Sequence, residues 1–201
     1  MTFATLTALL LTTPILFTAI RADGESESYI VLEIGTDILS VISPTGARNV
    51  IYEFLADTEL QDVRIDSTGN YIITDSHDDV LLKVTPAGEM TVIYTFPRDA
   101  YPGGLRIDSA GNYIVTETNT RVLSKITPDG ERTVIYTYTG GTSGGNPIVP
   151  GIDSSGNYIV TEMDPNVLSK ITPDGVRTVI YSFTDMFSDP IYVEIDSSGN
   201  Y

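Results

Sequence analysis

The chain has 201 residues, 41% of them apolar, enough to bury a sizeable core. It has no cysteine, which excludes disulfides, thiolate metal sites and a cysteine nucleophile. Its net charge of −16 argues against nucleic acid and anionic membrane surfaces as partners, because neutralising phosphates needs clustered cations.

Residues 2–20 are apolar and uncharged, and the acidic run Asp23-Gly24-Glu25-Ser26-Glu27 follows shortly after. This reads as an export signal ending near Ala22, or as an N-terminal membrane anchor, since the stretch almost suffices to span a bilayer. The expected organisation is a signal or anchor over 1–22 and one repeat domain over 23–201. The expected location is outside the cell or at its surface.

From Tyr29 onward the chain repeats itself. A strand is expected at Tyr29–Leu32, then the block VISPTGARNVIYEF from Val41. The run IDSTGNYIITD begins at Ile65 and returns as IDSAGNYIVTE at Ile107, IDSSGNYIVTE at Ile152 and IDSSGNY at Ile195. These starts lie 42, 45 and 43 residues apart. The second block recurs as KVTPAGEMTVIYTF from Lys83, KITPDGERTVIYTY from Lys125 and KITPDGVRTVIYSF from Lys170. Each repeat holds four short runs rich in Val, Ile, Tyr and Thr. In one copy they end at Ile107 and cover Tyr113–Thr116, Val122–Ile126 and Thr133–Tyr138. The Asp-Ser-x-Gly-Asn and Thr-Pro-x-Gly sequences between them are hairpin turns. A period of about 40–45 residues with four strands is that of a propeller blade. The fold class is therefore all-β, a β-propeller of four visible four-stranded blades, circularly offset by one strand. The first repeat lacks an inner strand and the chain ends on an extra one at Ile191–Ile195. Two arrangements follow: closure by that C-terminal strand, or an open arc of a larger propeller.

The repeats also serve as an internal alignment. Asp66, Asp108, Asp153 and Asp196 recur and are read as turn-forming residues. A second acidic set, Glu33, Asp75, Glu117 and Glu162, ends one strand per blade. Like charges so placed repel unless a cation or hydrogen-bond donors sit among them, which makes this set the candidate site for calcium or another divalent cation. Otherwise no cofactor is expected. The loops on the opposite face from the conserved turns vary between repeats, and variable loops carry function. His77, Arg98, Tyr101 and Asp185 are the candidate ligand-binding residues there. No catalytic residue stands out.

The pattern I-D-S-x-G-N-Y-I-[VI]-T-[DE], followed by V-L-x-K-[IV]-T-P-x-G, resembles NHL repeats and the streptogramin-lyase-like (virginiamycin B lyase-like) propellers over residues 29–201. The resemblance implies a propeller, usually of six blades. In the lyases it also implies a catalytic histidine and acidic residues around a divalent metal. His77 does not map onto that histidine. The leading expectation is a non-enzymatic binding or scaffold propeller recognising a protein, small molecule or glycan through its variable loops. The alternatives are a lyase-like or lactonase-like enzyme and a self-assembling protein joined through its terminal strands.

Overall fold

A computed structural model describes residues 16–18, 28–55, 57–139, 147–163, 165–184 and 190–201. Asp185 and all of the expected signal or anchor except Leu16–Thr18 lie outside the described residues. Every described element is a strand. Blade one is β1 (Leu16–Thr18), β2 (Tyr29–Glu33), β3 (Ile38–Ile42) and β4 (Arg48–Glu53). Blade two is β5 (Leu60–Ile65), β6 (Tyr71–Asp75), β7 (Val80–Val84) and β8 (Met90–Thr95). Blade three is β9 (Pro102–Ile107), β10 (Tyr113–Glu117), β11 (Val122–Ile126) and β12 (Arg132–Thr137). Blade four is β13 (Pro147–Ile152), β14 (Tyr158–Glu162), β15 (Val167–Ile171) and β16 (Arg177–Ser182). Each sheet is an antiparallel meander in chain order, and the first strands adjoin at the hub, β1 beside β5, β5 beside β9 and β9 beside β13.

Of the two arrangements expected, closure through Ile191–Ile195 is not the one seen among the described residues. The inner edge of β2 is paired with β1, Leu16 opposite Leu32. The C-terminal segment stacks on blade four instead, where Val193 and Ile195 join Ile159, Leu168 and Phe183.

Turn chemistry explains why the strands fold back where they do. Asp108 accepts the Ala110 and Asn112 backbone N–H groups and the Asn112 side-chain amide, and Asp66, Asp153 and Asp196 do the same in their own turns. These carboxylates replace backbone partners that a tight turn cannot supply.

The blades stack through alternating faces. On strand β10, Tyr113 and Val115 pack with Ile72, Leu81 and Phe96 of blade two, while Ile114 packs with Tyr158 and Val160 of blade four. Both faces of an inner blade are thus covered, and its strands are apolar at successive positions. A β-bulge adds polar precision to this contact. In every blade the pairing of third and fourth strands slips by one residue, so that Ile51, Ile93, Ile135 and Ile180 are each extra in their strands. The carbonyls of the first three abut the Thr-Pro-x-Gly turn of the next blade. A Cβ built on Gly88, Gly130 or Gly175 would stand 2.9, 2.6 or 2.7 Å from the Ile51, Ile93 or Ile135 carbonyl oxygen.

Gly130 and Gly111 share a φ of +85°, but nothing lies within 4 Å of a Cβ at Gly111. Gly111→Ala is therefore expected to cost only the left-handed backbone penalty, about 1–2 kcal/mol. Gly130→Ala is expected to cost about 1–3 kcal/mol more from overpacking at the blade interface. Urea unfolding of the two variants measures the difference; equal losses would contradict this account of the blade contact.

Candidate functional site

The acidic set Glu33, Asp75, Glu117 and Glu162 stays distributed, one residue per blade, and among the described residues no three His, Asp or Glu side chains are grouped to hold a metal ion. Three of the four are engaged inside their own blade by an arginine at the start of the fourth strand. Glu117 Oε1 accepts Arg132 Nε at 2.8 Å and Oε2 accepts Nη2 at 2.9 Å. Glu162 meets Arg177 in the same two-pronged way at 2.9 and 2.8 Å, as does Glu33 with Arg48 at 2.8 and 3.0 Å. The Arg48 guanidinium holds the Glu33 carboxyl below the usual range. The pair lies along the sheet, and the residue between its ends is small: Ser40, Ser124 or Ser169.

Blade two departs at all three positions together. Asp75, Leu82 and Met90 stand where the other blades have Glu, Ser and Arg. Asp75 turns back and accepts the backbone N–H groups of Glu59 and His77, and Leu82 is buried where the ion pair would run. One repeat has replaced a buried ion pair by apolar packing, a substitution that keeps stability when all members change.

The described variable-loop candidates, His77, Arg98 and Tyr101, lie on two loops that Asp79 joins by accepting the Asp99 and Tyr101 backbone N–H groups. His77 stands against its neighbour, Nδ1 at 3.3 Å from Asp78 Oδ1, and both are exposed. The Arg98 side chain is 94% exposed. Tyr101 adopts a φ of +56°, held there by its backbone N–H donating to Asp79 Oδ1 at 2.8 Å.

A denser polar cluster lies at the hub, at positions the repeat pattern does not single out. Asp62 and Arg64 come from β5, Arg106 from β9, and Tyr192 and Glu194 from the C-terminal segment. Buried Asp62 accepts the backbone N–H groups of Val63 at 2.8 Å and Leu105 at 3.0 Å. It also meets both guanidinium groups, Arg64 at 3.1 Å and Arg106 at 3.4 Å. Arg64 donates from Nε to the Leu105 carbonyl at 3.1 Å, tying blade two to blade three. Arg106 lies 5.6 Å over the Tyr192 ring and reaches Glu194 Oε1 at 3.2 Å. Both arginines approach the Tyr192 hydroxyl, at 3.4 and 3.5 Å. Arg64, Arg106, Gly151 and Glu194 occupy the same repeat position, and all but the two arginines differ. That variation is the signal that marks the hub.

The blade ion pair is open to a direct exchange. Arg132→Met alone strands buried Glu117 and is expected to cost about 3–5 kcal/mol. Adding Glu117→Asp and Ser124→Leu copies blade two and is expected to recover most of that loss in urea unfolding; a triple variant as unstable as the single would refute the exchange. The hub responds to pH. Burial pushes the Asp62 carboxyl up to about 6, against the pull of Arg64 and the two backbone donors. A folded value above the unfolded one, about 3.9, means its stabilising contribution is complete below pH 4 and lost as pH rises through 6. The stability of wild type relative to Asp62→Asn is expected to fall between pH 4 and 6 and to level off above. A flat difference across that window is the contrary result.

No family model matches the chain, and no curated protein matches it. Solved structures do. Virginiamycin B lyase from Staphylococcus aureus superposes with a TM-score of 0.77 at 21% identity, covering 91% of this chain and 60% of that one. A streptogramin B lyase superposes with a TM-score of 0.79 at 19% identity, covering 94% of this chain and 62% of that one. A calcium-binding regucalcin from Agrobacterium tumefaciens gives 0.63 at 17% identity, with 82% and 59% covered. This chain thus spans about 60% of the length of the two lyases. At these identities the likeness is one of fold, and in fold the chain is a β-propeller of the streptogramin B lyase kind.

Proposed function

We propose that this chain is a non-enzymatic binding propeller that takes the oxyanion of a partner, a carboxylate or a phosphate, at Arg106 of its hub. The observation that carries this reading is the arrangement of Arg106. Its guanidinium is mostly buried and fixed by Asp62 and the Leu105 carbonyl, yet its outward partner Glu194 is 72% exposed. An exposed ion pair contributes about 0–1 kcal/mol. A ligand oxyanion can displace Glu194 and find the Arg106 guanidinium and the Tyr192 hydroxyl already oriented. Arginine suits this task because its planar fork matches carboxylate and phosphate oxygens. The surrounding charge of −16 disfavours loosely held anions, so selectivity rests on that geometry. The apolar N-terminal stretch supports placing the protein outside the cell or at its surface.

The fold likeness raises an enzymatic reading, a lyase. One relative is a catalytically inactive H270A variant, so that enzyme depends on a histidine. The single histidine of this chain, His77, lies in an exposed acidic loop beside Asp78, and among the described residues no group of three His, Asp or Glu is placed to hold a metal ion. This arrangement favours binding over catalysis.

Titration with inorganic phosphate and with succinate, followed by NMR of the Tyr192 ring and the arginine Nε–H groups, tests the proposal. Glu194→Gln is expected to tighten binding by up to about fivefold, since removing the competing carboxylate releases up to about 1 kcal/mol. Arg106→Gln is expected to weaken it at least tenfold. Unchanged hub resonances with both anions, or turnover of quinupristin in the presence of a divalent metal, would overturn it.

A further inference from the structure

The charged groups of the hub balance one another, and we propose that an anion bound at Arg106 is taken up together with a proton that lodges on Asp62. This inference rests on the anion site proposed above and assigns its regulation: capture in mildly acidic surroundings, release near neutrality. Arg64 and Arg106 bring two positive charges, and Asp62 and Glu194 bring two negative ones. An oxyanion arriving at Arg106 tips that balance negative, in a chain whose net charge is already −16. Glu194 can turn into water, since its side chain is 72% exposed. Asp62 has no such exit, being 3% exposed at the junction of blades two and three. Its charge can leave only by protonation. The groups that face it are Arg64 on its own strand, Arg106 on β9, and Tyr192 and Glu194 on the C-terminal segment. Of the strands beside β5, β1 has no ionisable residue, β6 places Thr74 opposite Asp62, and Glu33 at the end of β2 is held by Arg48.

The geometry lets the proton enter without moving the arginine. Asp62 Oδ1 accepts the Val63 N–H at 2.8 Å and meets Arg64 Nη1 at 3.1 Å. Oδ2 accepts the Leu105 N–H at 3.0 Å, Arg64 Nη2 at 3.1 Å and Arg106 Nη1 at 3.4 Å. A proton from solvent on Oδ2 releases the longest of these contacts, the one to Arg106. Arg106 Nη1 keeps its place on the Leu105 carbonyl, at 2.8 Å. Its guanidinium charge is then no longer shared with an inner carboxylate and is left to the ligand. The proton affinity of Asp62 suits this exchange. Burial pushes its carboxyl up to about 6, and an anion nearby raises it further, because a like charge disfavours the ionised form. By linkage, the proton strengthens anion binding by the factor with which the anion strengthens proton binding. Anion affinity is therefore greatest below about pH 5, falls as pH rises through 6, and levels off once Asp62 is ionised with the anion in place.

Isothermal titration with inorganic sulfate at fixed ionic strength tests this, because the charge of that oxyanion does not change across the range. Affinity is expected to be about tenfold higher at about pH 5 than at about pH 7.5, the effect of one charge nearby in a partly buried site. Near pH 6.5, binding is expected to take up about half a proton per sulfate, read from the dependence of the heat on the ionisation enthalpy of the buffer. Glu194→Gln, which removes the other carboxylate of the cluster, is expected to keep both effects. Asp62→Asn is expected to bind sulfate at the higher pH as tightly as wild type does at the lower, and to lose the pH dependence. Should Asp62→Asn fold poorly, the proton uptake of wild type and of Glu194→Gln decides. Equal affinities without proton uptake, or a pH dependence kept in folded Asp62→Asn, would overturn the coupling and leave the anion site standing. No sulfate binding at either pH would overturn both.

Discussion

The fold depends on one recurring contact, a bulged isoleucine carbonyl pressed against a glycine of the next blade. A blade is a flat sheet with two apolar faces, and apolar packing alone would let it slide or rotate on its neighbour. The bulge removes one carbonyl from the ladder and directs it outward. Only a residue without a Cβ can receive it at the distances found for Gly88, Gly130 and Gly175. The same glycines carry the positive φ that their turns require. Turn geometry and blade registration are therefore met by a single residue type at a single place. This is why the Pro-x-Gly sequence is retained in every repeat.

Around that fixed contact the side-chain chemistry is free to drift, and the Glu–Ser–Arg face shows how. The aromatic pair of one blade, T-shaped in each of the four blades, lies over whatever the next blade offers. Arg177 of blade four lies within electrostatic reach of Tyr136 and Tyr138 of blade three. Blade two offers Leu82 and Met90 in place of serine and arginine. An ion pair under an aromatic cover loses much of its net value to desolvation, so an apolar version of similar volume is a near-equivalent solution. The structure carries both solutions in one chain. Tyr138 is a smaller example. Its hydroxyl is buried without a partner among the described residues, and the corresponding residues are Phe54, Phe96 and Phe183.

How much of this is legible in the sequence follows from where information is duplicated. The four-strand repeat, its turns and the turn role of Asp108 and its equivalents are written several times, and the repeat pattern alone places them. The pairing of Glu117 with Arg132 is not visible there, because the apolar run of the fourth strand starts at Thr133 and the arginine one residue earlier looks like part of the turn. Nor does a linear pattern say that an acidic residue at one end of a blade reaches an arginine 15 positions later, along the sheet surface and over a serine. The hub escapes for a different reason. The residues before each Ile-Asp-Ser look like ordinary blade structure, although Arg64, Arg106, Gly151 and Glu194 differ as functional positions do. Their convergence is non-local, with 86 residues separating Arg106 from Tyr192.

The hub and blade four are linked through the C-terminal segment. Val193 and Ile195 bind blade four on one side of that strand, while Tyr192 and Glu194 reach the arginines on the other. Alternate residues of an extended segment point to opposite sides, so one short stretch serves both surfaces.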